Sequence, residues 1–346
     1  MNRFNLAFHR RNPGRPPVWL MRQAGRYHAH YQALKRDHDF IALCKDPVLA
    51  CETTMGPIRD FDFDAAILFS DLLFPLEVMG MGLKYSPGPV LDWHLKSVAD
   101  LARLTGGAAR VKDLEFQAEA LRLIRTALPA EKGLLGFVGG PLTLFVYAAV
   151  GSHKGDLSDA IVGLDDGRFA GFCDQLMDLL AANIVLQFRA GADTVAVMDT
   201  AAGEIPLEAF ERLVVPRLAQ LFADVRAQVP NAAFTYYSRQ TGPAHWRALA
   251  GLPIGCLGVD WLHPLPEVFA AVGDRWAVQG NFDPHLMLLP EAQLRPLLVD
   301  FFSTARTLKP AHRAGWVCGL GHGVLPGTPE DNVRLFLALQ REFFAP

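Results

Sequence analysis

Eight short apolar runs recur along the chain, each closed by polar or glycine residues: PVWLMRQ (17–23), AAILFSD (65–71), GLLGFVGG (133–140), DTVAVMDT (193–200), AAFTYYS (232–238), GCLGVD (255–260), WAVQGNFD (276–283) and GWVCGLGHG (315–323). Between several of them lie longer segments with apolar residues three and four apart, such as DLEFQAEALRLIRTAL, RFAGFCDQLMDLLAANIVLQFRA and LEAFERLVVPRLAQLFADVRAQV. That is the period of an amphipathic helix. Strands that are apolar throughout belong in a parallel sheet covered on both faces. About eight such βα units over 346 residues predict a single-domain TIM-like (β/α)8 barrel spanning 1–346, with 1–15 flexible.

A doubly wound dinucleotide fold would need G-x-G-x-x-G after an early strand. No such unit opens the chain, and GLGHGV near the C-terminus has Val324 at the third glycine position. There is no P-loop, no G-x-S-x-G elbow and no H-E-x-x-H. KYSPGPVLDW (84–93) reads as a small hairpin, because its prolines and glycine form turns. SHKGDLSDAIVGLDDGRF (152–169) reads as a mobile cover or a contact surface.

A net charge of −3 and a pI near 6.4 argue against a nucleic-acid or membrane-surface binder, which needs a strongly basic face. The N-terminus has no apolar signal core, and no later run approaches the roughly 18 apolar residues of a membrane span, so a cytoplasmic protein is expected. Five scattered cysteines without a C-x-x-C pair fit a reducing compartment and core thiols.

In a barrel of this kind the chemistry gathers at the C-terminal ends of the strands. The residues there are Arg22, Gln23 and Arg26, then Asp71, Gly140 with Tyr147 beyond it, Asp199 and Thr200, Ser238 and Arg239, Asp260, Asn281 and Asp283, and His322. They are expected to face one cleft. Two guanidiniums beside Gly25 suit an anionic substrate, since arginine offers a rigid fork of donors and glycine lets the backbone come close. Asp71 fits either a helix cap or a charge aimed at a ligand, and Tyr147 either a core residue or a contact. His322, between glycines, has little local cover. His28 and His30 lack further zinc ligands at a matching spacing and read as a solvated helix face. Neither a metal nor a nucleotide cofactor is called for.

The segments PVWLMRQAGRY (17–27) and GFVGGPLTLFVYAAVGS (136–152) resemble the two signature segments of the uroporphyrinogen decarboxylases. The similarity continues through 59–83, 191–203, 278–284 and 319–333, and so spans the chain. The resemblance implies a TIM-like barrel, usually a homodimer, that removes carbon dioxide from the four acetate side chains of uroporphyrinogen to give coproporphyrinogen, without a cofactor. It implies Arg22, Gln23, Ala24, Gly25 and Arg26 as a substrate-binding segment, Asp71 beneath the macrocycle, and Tyr147, Thr200 and His322 as further contacts. Asp71, Arg22, Tyr147 and His322 form the implied catalytic set. The chain departs from the family pattern at His28-Ala29-His30, at Lys35, at Met198–Ala202 and at Gly319. Two alternatives are a corrinoid or thiol methyltransferase of the same fold, which would need an H-x-C zinc segment absent here, and a non-catalytic tetrapyrrole-binding relative.

Overall fold

Seven of the eight apolar runs become strands. In a computed structural model that describes residues 1–86 and 88–345, the strands β1 (Ala65–Ile67), β4 (Gly133–Gly139), β5 (Thr194–Asp199), β6 (Phe234–Ser238), β7 (Ile254–Gly258), β8 (Ala277–Phe282) and β9 (Trp316–Leu320) belong to the parallel sheet of an α/β fold. The expected hairpin is present as β2 (Lys84–Tyr85) and β3 (Pro89–Val90), paired antiparallel; its Pro87 lies outside the described residues, as does the last residue of the expected 1–346 domain. The chain groups into two compact units.

Unit 1 comprises residues 1–69, 123–135 and 254–346. In it β1 runs beside the start of β4, with Ala65 opposite Gly133, and β7, β8 and β9 pair in parallel. The first apolar run does not become a ladder strand. Among the described residues of this run, Val18 alone forms a bridge, to Cys318 of β9. Pro16 and Pro17 have no N–H to give, and the Asp64 carboxylate takes the Val18 N–H at 2.7 Å. Arg15 grips the same carboxylate through both terminal nitrogens, at 2.8 and 2.9 Å. The segment thus lies along Cys318 and Asp64, whose carboxylate takes the Val18 N–H and whose own N–H donates to the Val18 carbonyl at 2.8 Å. Residues 1–15, read from the sequence as flexible, carry the helix Arg3–Phe8, whose Phe4 is fully buried and packs where any side chain at Gly133 would sit.

Unit 2 comprises residues 70–122 and 136–253. Here β5 and β6 pair in parallel, from Val195 opposite Phe234 to Asp199 opposite Ser238. The three long periodic segments are helical at Glu115–Ala127, of which residues 115–122 belong to this unit, at Arg168–Arg189 and at Val215–Gln228, the last preceded by a short wide turn at Phe210–Val214. Arg168–Arg189 is long and apolar enough to cross a bilayer, but Phe169, Phe172, Cys173, Leu176 and Leu180 are buried within the protein. The 152–169 segment is anchored. Arg168 is buried and holds Asp159 and Asp166 at 3.0 and 2.8 Å, and donates to the carbonyls of Leu95 and Asp159, which seats the helix Ser158–Gly163.

Candidate active site

In unit 1 the arginines sit on a turn and not at the end of a strand. After Leu20 the chain turns through Met21–Tyr27, with Arg22 at a left-handed φ of 61°. This conformation is costly for a residue with a β-carbon and is commonest where function demands a shape. Three contacts enforce it. Gln23 is buried, and its amide donates to the Ala65 carbonyl at 3.0 Å while accepting from Leu20 N–H at 3.2 Å. The Tyr27 hydroxyl donates to the Gln23 carbonyl at 2.8 Å, and burial pushes this phenol's pKa up. Gly25 faces the Arg22 carbonyl so closely that a β-carbon would lie 2.9 Å from it.

Both guanidiniums are exposed by this turn, while Ala24 and Gly25 are half-buried. Arg22 lies over Gly323, where a β-carbon would approach its Cδ to 2.5 Å, and the Val324 N–H donates to the Met21 carbonyl at 2.8 Å. The half-buried His322 is therefore next to the residue on which Arg22 rests. Gly321 N–H donates to the Phe282 carbonyl at 2.8 Å, which ties this glycine-flanked imidazole to the end of β8. Unit 1 thus places Arg22 against the residue that follows His322. Gln23 is different: it holds the turn from within and presents no amide to solvent.

The histidines after the turn correct the expectation of a solvated face. His28 is fully buried, bonds Asp60 through Nε2 at 2.7 Å, and has rings of Tyr27, His30 and Phe61 within 6 Å. Burial lowers its pKa, and the bond to Asp60 offsets part of that. Lys35 is exposed on the helix Ala29–Asp37.

In unit 2 Asp71 is half-buried, and its Oδ1 accepts the Leu73 N–H at 2.8 Å. The carboxylate is thus fixed from below by its own turn. Tyr147 is half-buried on the helix Pro141–Val150, and its hydroxyl lies 2.8 Å from His153 Nδ1. Thr200 is half-buried at the start of the turn Thr200–Glu204.

Three features of this unit are not evident from residue types alone. The Tyr147–His153 pair has a faint sequence signal, since Gly151 at φ 77° ends the helix and reverses the chain between them. A buried amide chain reaches the neighbour of Asp71: Gln187 donates to the Phe137 carbonyl at 3.0 Å and to Gln117 at 3.4 Å, and Gln117 donates to Ser70 Oγ at 3.0 Å. The third is Asp199, fully buried at the end of β5 and bonded to Thr143 and Tyr236. Burial pushes its carboxyl up to about 6, against the pull of those hydrogen bonds. Four of the five cysteines are buried and Cys51 is half-buried; none is in a disulfide among the described residues, and burial pushes Cys173 up to about 12 and Cys318 well above its ordinary value.

An α/β protein with exposed arginines and a histidine on one turn system, and a fixed carboxylate on another, has the equipment of an enzyme for a polyanionic substrate. The comparison with known proteins makes this specific: the uroporphyrinogen decarboxylase family pattern matches residues 1–343, and the chain belongs to that family. It is similar to a protein of Roseiflexus sp. strain RS-1 named uroporphyrinogen decarboxylase, 35% identical over 99% of each chain. A protein of the same name from Coxiella burnetii strain RSA 493 is 34% identical, over 99% of this chain and 95% of that one. A solved structure described as a methyltransferase from Methanosarcina mazei superposes with a TM-score of 0.77 over 99% of this chain and 98% of that one; at 18% identity this likeness concerns the fold alone.

Proposed function

We propose that the protein removes carbon dioxide from the four acetate side chains of uroporphyrinogen III, giving coproporphyrinogen III. The observation that carries this reading is the family match across residues 1–343 together with an intact arginine turn, 17–27, seated on Gly323 beside His322. Decarboxylating an acetate on a pyrrole needs an electron sink. The substrate supplies one when its ring is protonated to an iminium-like cation. Asp71 gathers the pyrrole N–H groups and stabilises that developing charge, and the Leu73 N–H holds the carboxylate in place as it does so. A pre-fixed group of this kind is worth about 3–4 kcal/mol at the transition state in a dry site.

Arg22, Arg26 and His322 bind carboxylates of the octa-acid substrate, with Ala24 and Gly25 giving close backbone approach, and Tyr147 and Thr200 make further contacts. Gln23 belongs to this segment as the residue that keeps the turn. Arginine remains protonated across the working pH, so Arg22 acts as clamp and charge stabiliser. The finer architecture we propose is an eight-stranded barrel in which Pro17–Leu20 takes the eighth strand's place beside β9. Free thiols fit a cytoplasmic location, and the family resemblance supports a homodimer, which sedimentation would test.

The deciding experiment is anaerobic incubation of the purified protein with uroporphyrinogen III, without added metal or cofactor. The expected products carry seven, six, five and finally four carboxylates. No product above the chemical background would overturn the reading, and zinc-dependent methyl transfer would point to the methyltransferases instead.

A further inference from the structure

The helix that carries Tyr147 starts without a cap of its own. Its N-cap position is Gly140, which has no side chain to accept the free N–H groups of the first turn. Asp199 supplies the acceptor from a different element. Its Oδ1 takes both the backbone N–H and the hydroxyl of Thr143, each at 2.9 Å, and its Oδ2 takes the Tyr236 hydroxyl at 3.2 Å. Thr143 Oγ1 in turn accepts the Ala201 N–H at 3.1 Å, and Gly140 N–H donates to the Met198 carbonyl at 2.9 Å. A β-carbon on Gly140 would lie 2.4 Å from Asp199 Cγ, so the glycine is what lets the carboxylate reach the helix.

Among the described residues no cationic side chain pairs with Asp199. A wholly buried carboxylate held only by neutral donors is an expensive choice for packing alone. Its position suggests what it is for. Tyr147 is one helical turn beyond Thr143, on the same side of the helix, and Thr200 follows Asp199 directly.

We propose that Asp199, acting through Thr143, is a positioning residue that sets Tyr147 and Thr200 at one fixed separation, so that both meet the substrate together. This rests on the function proposed above. Asp199 itself does not touch the substrate; the carboxylate joins the helix start, the end of β5 and the 200–204 turn into one rigid piece. Small displacements of substrate-positioning groups are costly to rate even when binding persists.

The test compares Thr143→Val, which keeps the shape and removes the hydroxyl, with Thr143→Ser, which keeps the hydroxyl. Steady-state turnover of uroporphyrinogen III by each is measured alongside the unmodified protein, with thermal melts to confirm folding. Thr143→Val is expected to lower kcat about tenfold with KM within about twofold, while Thr143→Ser stays within about twofold of the unmodified protein. Equal activity in all three, or equal loss in both variants, overturns the positioning role and leaves the decarboxylase reading intact. Affinity for the oxidised substrate, uroporphyrin, is measured by fluorescence quenching in the same samples. Uroporphyrin affinity is expected to differ by less than about twofold among the three, and a tenfold loss in Thr143→Val would overturn the positioning role in favour of a binding role. If the unmodified protein makes no product, the decarboxylase reading falls, and the positioning role falls with it.

Discussion

The two units hold their functional groups by opposite means. In unit 1 the arginines are exposed, and the protein's effort goes into the backbone beneath them: a left-handed Arg22, a buried Gln23, and glycines at 25 and 323 where side chains would collide with Arg22. In unit 2 the side chains themselves are fixed. Asp71 is held by the Leu73 N–H, Tyr147 is paired with His153, and Asp199 is sealed among Thr143 and Tyr236. On the proposed function, the contrast teaches that cations meeting a polyanion can stay in water, where they remain charged at little cost. A carboxylate meant to stabilise one transient cation gains most when it cannot move.

Substitutions can break or sharpen that contrast. Asp71→Asn keeps shape and removes charge, so kcat is expected to fall about 10²–10³-fold with KM little changed; parallel loss of kcat and substrate affinity would contradict a transition-state role. Asp199→Asn tests the sealed carboxylate through stability. An acid whose folded pKa is raised, here from 3.8 to about 6, binds more protons folded than unfolded between those values, so its contribution to stability falls as pH rises through that window and stays at the lower level above it. The full change amounts to about 3 kcal/mol, of which about 2.4 kcal/mol falls between pH 4 and pH 7; urea melts at those two values should show a loss of stability larger by about that amount in the unmodified protein than in the asparagine variant.

On the cationic side, Arg22→Lys keeps the charge but loses the fork. KM is expected to rise about tenfold, or ~1.4 kcal/mol, with kcat nearly unchanged. Gly323→Ala should be milder, because the clashing group is a flexible side chain; a rise in KM of about threefold, or ~0.6 kcal/mol, measured by steady-state kinetics, is expected from displacing Arg22. If Gly323→Ala proved as severe as Asp71→Asn, the contrast between exposed cations and a fixed carboxylate would fail.

Periodicity made most of the fold legible. Runs of apolar residues located all seven sheet strands, because strands covered on both faces have to be apolar along their whole length. The first run, 17–23, failed as a ladder strand for a reason that lies elsewhere in the chain: the Asp64 carboxylate takes the Val18 N–H. Arg22, Arg26, Asp71, Tyr147 and His322 were visible as polar residues closing apolar runs, or within a signature segment. Asp199 was visible at a strand end, but its bond to a helix start 56 residues earlier was not, since local pattern carries no information about that pairing. His28 misled for a similar reason. A histidine at a helix start looks solvated until Asp60 and Phe61 close over it.

The discontinuity of unit 1 has a consequence for how the protein is made. Its three pieces are separated by both stretches of unit 2, and Val18 finds its bridge partner in Cys318, near the far end of the chain. On the ribosome, where synthesis runs at about 5–20 residues per second, residues 16–20 wait for almost the entire chain to emerge before β9 can receive them. The Arg15–Asp64 grip is local by comparison and can form early. It gives the apolar segment PVWL a provisional berth during the interval in which it would otherwise be a sticky, unpaired end.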